Sequence, residues 1–219
     1  MTLKIIGFEV SSNTLSVIAC LNELGLPYQI ENPASWHALK EEDFLANKHP
    51  FGRIPVLYDG DYKITETRAI CRYLVSKYQG KHNDTILIPH DINEAGLIDQ
   101  LISYEVSYYE PLLKTIVLQE VFKLHPENHE IIKHTCEEID KVLKVYDKLL
   151  EGKEYLNGEF SLADLLHCPY TQYIYSSTKH NDLWDKRPNV KKWWDRISNR
   201  DAWKKAWKIS RDAWAAGDK

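Results

Sequence analysis

The stretch from His49 to Leu74, HPFGRIPVLYDGDYKITETRAICRYL, constrains the chain more than any other. Phe51-Gly52-Arg53 is a turn, and Ile54 precedes a proline and is pushed toward extended geometry. Val56-Leu57-Tyr58 then reads as a strand, Asp59-Gly60-Asp61 as a tight turn and Tyr62-Lys63-Ile64 as the return strand. Thr65-Glu66-Thr67 opens a helix with Ala69, Ile70, Tyr73 and Leu74 on its apolar face. A helix start of this kind offers free backbone N–H groups, a hydroxyl and the positive end of the helix dipole to a carboxylate. Glu66 beside it can take an ammonium, so one small zone suits the zwitterionic end of an amino acid. Ordinary capping by Thr65 or Thr67 is the plainer reading of the same residues.

The segment before it alternates strand and helix. Leu3 to Gly7 is a short apolar strand, Val17, Ile18, Leu21 and Leu24 form a helical stripe ending at Gly25, and Tyr28-Gln29-Ile30 is a second strand. With the hairpin and helix that follow, the order is that of a thioredoxin-like fold. Between the first strand and helix lies the polar loop Val10-Ser11-Ser12-Asn13-Thr14. A hydroxyl at such a junction either caps the helix or donates to a bound thiolate, which the helix N-terminus also favours. Lowering a thiol pKa of about 8.5 by two units requires about 2.7 kcal/mol of preference for the anion, within reach of one or two charge-assisted hydrogen bonds.

Beyond Asp91 the periodicity is helical throughout. Leu97, Leu101, Glu105, Tyr108, Leu112 and Ile116 form one stripe, with Pro111 expected to kink it, and Ile131, Ile132, Ile139, Leu143, Tyr146 and Leu150 form another. Phe160-Ser161-Leu162-Ala163-Asp164 is a capping box in its aspartate form, and His167 and Cys168 beyond it read as satisfied core residues. Near the end, ten lysines and arginines stand against two aspartates between Lys186 and Arg211, with Trp203, Trp207 and Trp214 on nearly one helical face. Docking of that face on the body, with the lysines in water, is preferred to a membrane or nucleic-acid surface.

These motifs together resemble the cytosolic glutathione S-transferases, most closely the phi class and its fungal relatives. The resemblance rests on His49-Pro50-Phe51-Gly52-Arg53-Ile54-Pro55, Asp59-Gly60, Glu66-Thr67-Arg68-Ala69-Ile70, the Ser11 to Val17 loop, Phe160 to Pro169 and Arg187 to Lys205. It implies an α/β thioredoxin-like domain over 1–78, a linker over 79–91 and an all-helical bundle over 92–219. It also implies a cis proline at Pro55, a catalytic Ser11 with Ser12 as its nearest competitor, and no cofactor beyond glutathione as co-substrate. Glutathione would be held by Ser11, His37, Lys40, Arg53, Ile54, Pro55, Glu66 and Thr67, and a hydrophobic electrophile by Tyr104, Tyr108 and Tyr109. Leu15 stands where the family often has arginine, and Cys20 lies inside the helix, away from the position of a cysteine-type enzyme. A homodimer touching at Phe51 is the expected assembly. The rival readings are a glutathione-dependent peroxidase or non-catalytic ligand carrier, and a scaffold like that at the N-terminus of elongation factor 1 gamma, which would add a further domain beyond Lys219.

Composition bounds the remainder. The 219 residues carry a formal charge of −4, and the pI of about 6.1 gives no global pull toward nucleic acid. The four cysteines lie far apart without a Cys-x-x-Cys pair, which argues against a metal site or disulfide framework and for a reducing compartment. With neither a signal sequence nor a membrane-length apolar run, the chain is expected in the cytoplasm, away from membranes.

Overall fold

The computed structural model describes residues 2–217. One compact unit runs to Ile86 and takes in the segment from Asp201; the other is Leu87–Arg200. The first is built on a four-stranded mixed sheet in the order β2-β1-β3-β4, with β1 Leu3–Ile6, β2 Tyr28–Glu31, β3 Val56–Asp59 and β4 Tyr62–Thr65. β1 pairs parallel to β2, as a strand-helix-strand crossover demands, and antiparallel to β3, which pairs with β4 through the hairpin. Ile5, Val56 and Leu57 are fully buried, and this follows from the sheet having packed elements on both faces.

Helix α1, Ser12–Glu23, buries Leu15, Val17, Ile18 and Leu21. Its end is a Schellman motif: Leu26 N–H reaches Leu21 O at 2.9 Å and Gly25 N–H reaches Asn22 O at 3.2 Å, with Gly25 at φ 66. Only glycine takes that left-handed position without strain. The polar stretch before the hairpin forms a single 3₁₀ turn at Ala38–Lys40 and a short α2, Glu42–Asn47. Helix α3, Thr67–Tyr78, buries Ile70, Cys71, Leu74 and Val75. Ala69 faces solvent instead, and the Tyr73 hydroxyl turns to Asp59.

The helical unit holds α4 Ile92–Tyr104, α5 Glu110–Ile116, α6 His129–Leu149, α7 Leu162–Ser177, α8 Asp182–Asp185 and α9 Pro188–Ser198. The kink expected at Pro111 takes a specific form. A π-helical segment, Glu105–Tyr109, separates α4 from α5, and a second, Val117–Val121, follows α5. Proline has no N–H and its ring crowds the carbonyl four residues back, and an inserted residue relieves both problems. The insertion also moves the buried stripe. Tyr109, Leu113, Ile116 and Val117 line the core, whereas Tyr108 at strict helical spacing is exposed. In α6, Ile132 is buried and its neighbour Ile131 exposed.

The capping box at the start of α7 is present and buried. Asp164 accepts from Ser161 N–H, Ser161 Oγ, Leu156 N–H and Trp193 Nε1 at 2.8 to 3.0 Å. His167 is satisfied as expected, with Nδ1 2.7 Å from Ala163 O and Nε2 2.9 Å from Tyr146 Oη.

Helix α10, Asp201–Ala216, belongs with the first unit, whereas chain order grouped it with the helices over 92–219. Trp203, Ala206, Ser210 and Ala213 form its buried face, α1 is the helix it packs on, and Asn22 Nδ2 donates to Ala202 O at 3.1 Å. Lys204, Lys205, Lys208 and Arg211 point to solvent. Of the expected aromatic stripe Trp203 is spent on docking, while Trp207 and Trp214 are half-buried, and among the described residues no helix is long and apolar enough to cross a membrane.

Candidate active site

Three chain segments converge at one end of the sheet because the ladder aligns them. Ile6, Val56 and Thr65 pair in one row across β1, β3 and β4. The loop leaving β1 leads to Ser11, the segment entering β3 carries Ile54 and Pro55, and the segment leaving β4 is Glu66-Thr67. Below them Ile6, Leu39, Phe44, Ile54 and Val56 make an apolar cluster on which Phe8 packs, and Ser11 N–H is held by Phe8 O at 3.0 Å. The Ile54-Pro55 bond is cis.

Ser11 is the N-cap residue of α1 by backbone geometry, at φ −75 and ψ 124, yet its side chain makes no capping hydrogen bond. Its hydroxyl is therefore not committed to the first turn. Ser12 is 4 % exposed, and its hydroxyl and that of Thr14 are buried without a hydrogen-bond partner among the described residues. A buried Ser12 is the poorer candidate for contact with a bound ligand.

Glu66 sits at φ 70, an uncommon conformation for a non-glycine residue, as N-cap of α3. Its side chain stays largely exposed, while Thr67, the first residue of the helix, is 5 % exposed. Sequence reasoning missed the group that anchors Glu66. His49 is 2 % exposed; its Nδ1 accepts from Phe51 N–H at 3.2 Å, so Nε2 carries the proton and faces Glu66 Oε1 at 3.4 Å. Burial pulls His49 below the ordinary histidine range; the Glu66 carboxylate opposes that fall, and Arg53 and Lys40 add to it. The signal available was a histidine two residues ahead of the Phe-Gly turn, able to bond the turn's own backbone.

Lys40 makes two hydrogen bonds at this turn. Its Nζ donates to Phe51 O at 2.9 Å and Gly52 O at 3.0 Å, which clamps the loop. Gly52 at φ 58 permits the approach, since a Cβ there would collide with Leu39 O. Lys40, Arg53 and His37 are all exposed, and Ile54 and Pro55 are buried. Lys40, Arg53, His49 and Glu66 thus form one electrostatic neighbourhood; His37 joins it through its backbone, its carbonyl accepting from Lys40 N–H at 2.9 Å.

Of the three tyrosines, Tyr108 is 61 % exposed and Tyr104 is half-buried, with ring centroids 6.2 Å apart. Tyr109, expected at the electrophile site, lies in the core instead. It is 1 % exposed, its hydroxyl lies 2.7 Å from Thr171 Oγ1 and 3.0 Å from Trp184 Nε1, and its ring packs on Tyr146 and His167. The π segment rotates it into the core.

Comparison with known proteins agrees with this architecture. Residues 1–76 match the glutathione S-transferase N-terminal domain and residues 110–201 the C-terminal domain. Glutathione S-transferase F10 of Arabidopsis thaliana is 42 % identical over 75 % of this chain and 77 % of its own. The probable rice glutathione S-transferase GSTF1 is 33 % identical over 92 % of this chain and 94 % of its own. The crystal structure of poplar glutathione transferase F1 superposes with a TM-score of 0.92 at 33 % identity, covering 97 % of this chain and all of that one. Maize glutathione S-transferase I, solved in complex with an atrazine glutathione conjugate, has a TM-score of 0.86 at 29 % identity, covering 96 % and 99 % of the two chains. The chain belongs to the glutathione S-transferase family. Its relatives are the plant F-type, or phi-class, enzymes, and glutathione is the co-substrate of the conjugation such enzymes perform.

Proposed function

We infer that this transferase is of the serine type, with Ser11 donating a hydrogen bond to the glutathione thiolate, which attacks an electrophilic carbon of a small hydrophobic substrate. The observation that carries this reading is the uncommitted hydroxyl of Ser11 at the N-cap of α1, beside the free N–H groups of the first turn. Both stabilise an anion at the same point, and neither requires reorganisation when glutathione binds.

The rest of the tripeptide follows the converging segments. Glu66, held by His49, takes the γ-glutamyl ammonium, and the start of α3 at Thr67 takes the adjacent carboxylate. The backbone of Ile54, ahead of Pro55, pairs with the cysteinyl unit. Arg53 and Lys40 supply the cations for the glycine carboxylate, and His37 is assigned there on the family resemblance alone. Thr67 stands where the family resemblance implies a serine; it keeps the hydroxyl and adds a methyl. For the electrophile we assign Tyr104 and Tyr108; the aryl-type conjugate in the maize relative supports an apolar aromatic substrate class. A homodimer with Phe51, 74 % exposed, at its contact and a cytoplasmic location complete the proposal.

Calorimetric titration with glutathione, run beside conjugation of an aryl halide, tests it. The expected result is saturable binding in both wild type and Ser11→Ala, with turnover lost in the variant. Binding without turnover in the wild type would favour a carrier, and no binding at all would reject the proposal.

A further inference from the structure

The helical unit holds a second constellation that the glutathione site does not use. Cys20, Cys71 and Cys168 are buried, whereas Cys136 on α6 is half-buried. Its Sγ lies 3.6 Å from His180 Nδ1, and His180 Nε2 lies 3.0 Å from Glu120 Oε1. A carboxylate only accepts, so Nε2 carries the proton and Nδ1 turns a lone pair to the thiol. The ring is fixed from behind, because His180 N–H donates to Thr178 Oγ1 at 3.2 Å and Thr178 Oγ1 donates to Ile174 O at 2.8 Å. Glu120 comes from the second π segment, a helix form that recurs at functional sites, and Lys123 just beyond it sits at φ 53.

Glu120 and Cys136 address opposite nitrogens of one ring and cannot reach one metal ion. The arrangement is instead nucleophile, base and orienting carboxylate. Cys136 and His180 open onto a shallow surface groove of about 570 Å³. Lys133, Lys141 and Lys186 line it against Glu137 and Asp140, and Asp140 is already paired with Lys186 at 2.6 Å and Arg187 at 2.9 Å. Lys141 is in turn paired with Glu138 at 2.6 Å, which leaves Lys133 and Glu137, one charge of each sign, to face a small zwitterionic ligand. Cys136 lies in the middle of α6 with its N–H committed to the helix, so no oxyanion hole forms at the nucleophile. Attack at sulfur builds no tetrahedral oxyanion and is the chemistry that fits.

We propose that Cys136, His180 and Glu120 form a second reactive site that exchanges its thiol with a small disulfide carrying charges of both signs, independently of Ser11. His180 Nδ1 takes the thiol proton, and Glu120 holds the resulting imidazolium. The thiolate attacks one sulfur of the disulfide, the S–S bond breaks, and the departing thiolate takes the proton from His180. Cys136 is thereby oxidised to a mixed disulfide while half of the small disulfide leaves reduced as a thiol; a second thiol reverses the step. Burial pushes the Cys136 thiol up, Glu120, Asp182 and Glu137 adding to the rise and Lys186 opposing it. Cys136 therefore rests as a thiol, and its proton leaves toward the His180 Nδ1 lone pair that faces it.

The test is incubation of the full-length reduced protein with glutathione disulfide, followed by mass spectrometry of intact and digested chains. The expected result is one adduct per chain, on Cys136, forming at least about tenfold faster than on free cysteine at the same pH and absent in Cys136→Ser. That variant keeps its aryl halide conjugation. His180→Gln is expected to slow exchange about a hundredfold and Glu120→Gln about tenfold, the scale of general-base assistance. Uncharged hydroxyethyl disulfide should lose most of the advantage over free cysteine. A native rate no faster than free cysteine, an adduct on another cysteine, or an unchanged rate in a folded His180→Gln chain would each overturn the proposal. Where the His180 and Glu120 variants fail to fold, the free-cysteine comparison and the charged-to-uncharged ratio decide on the native protein.

Discussion

His49 Nε2 faces Glu66 Oε1 at 3.4 Å, and this pair joins a buried ring in the Phe51-Gly52 turn to an exposed carboxylate at the head of α3. The turn and the helix start belong to different segments of chain, and the pair sets Glu66 relative to the backbone that enters β3. His49→Ala is expected to remove about 2 to 3 kcal/mol of stability, through the cavity and the orphaned Phe51 N–H. Urea denaturation measures that loss, and a several-fold rise in KM for glutathione reports the freed Glu66.

The same histidine has a pH signature. Its folded pKa lies below the ordinary value of about 6.5, so the unfolded chain binds the proton more readily. Its contribution is complete above pH 6.5 and declines as the pH falls from there toward the folded value. The difference in melting temperature between wild type and His49→Gln should therefore shrink between pH 7 and pH 5.

Asp59 is held below the usual carboxylate range for a visible reason. Burial raises its pKa, but donors at Lys77 Nζ, Tyr78 Oη and Tyr73 Oη, 2.5, 2.6 and 2.7 Å away, outweigh burial and bring it down to about 2. Stability from this group is full above pH 3.8 and is lost as the pH falls through about 2. Asp59→Asn is expected to cost about 2 kcal/mol at pH 7 and almost nothing at pH 2, read from denaturant midpoints at the two pH values.

Ser11 and Ser12 are neighbours with opposite expectations. Ser11→Ala should return the pKa of bound glutathione toward about 8.5, seen as loss of thiolate absorbance at neutral pH. Ser12→Ala should leave that titration in place, because its hydroxyl is buried without a hydrogen-bond partner among the described residues. It should also be neutral or slightly stabilising, since an unsatisfied buried polar atom is removed.

Asp164 gathers four donors in the core of the helical unit. Asp164→Ala leaves three N–H groups and a hydroxyl unpaired and should cost about 3 kcal/mol or more, with Asp164→Asn intermediate because the amide oxygen still accepts. Thermal unfolding followed by circular dichroism distinguishes the two.

Much of this was legible from the chain alone. Turn chemistry at Phe51-Gly52 and Asp59-Gly60, the strand alternation and the Ser161 to Asp164 box are local, and local rules govern residues within a turn or two of one another. The candidates Ser11, Glu66 and Thr67 were visible because helix starts announce themselves in sequence. Tertiary structure decided what depends on partners distant in the chain. It found His49 as the partner of Glu66, because only the ladder row through Ile6, Val56 and Thr65 sets those segments side by side. It turned Tyr109 inward, because an inserted residue in a π segment shifts every later position around the helix and breaks the simple period. It joined α10 to α1, since an amphipathic face states that it will be buried but not against which surface. Sequence determines periodicity and local hydrogen bonding; the partner of each buried face and each buried charge is settled only when the whole chain has closed around it.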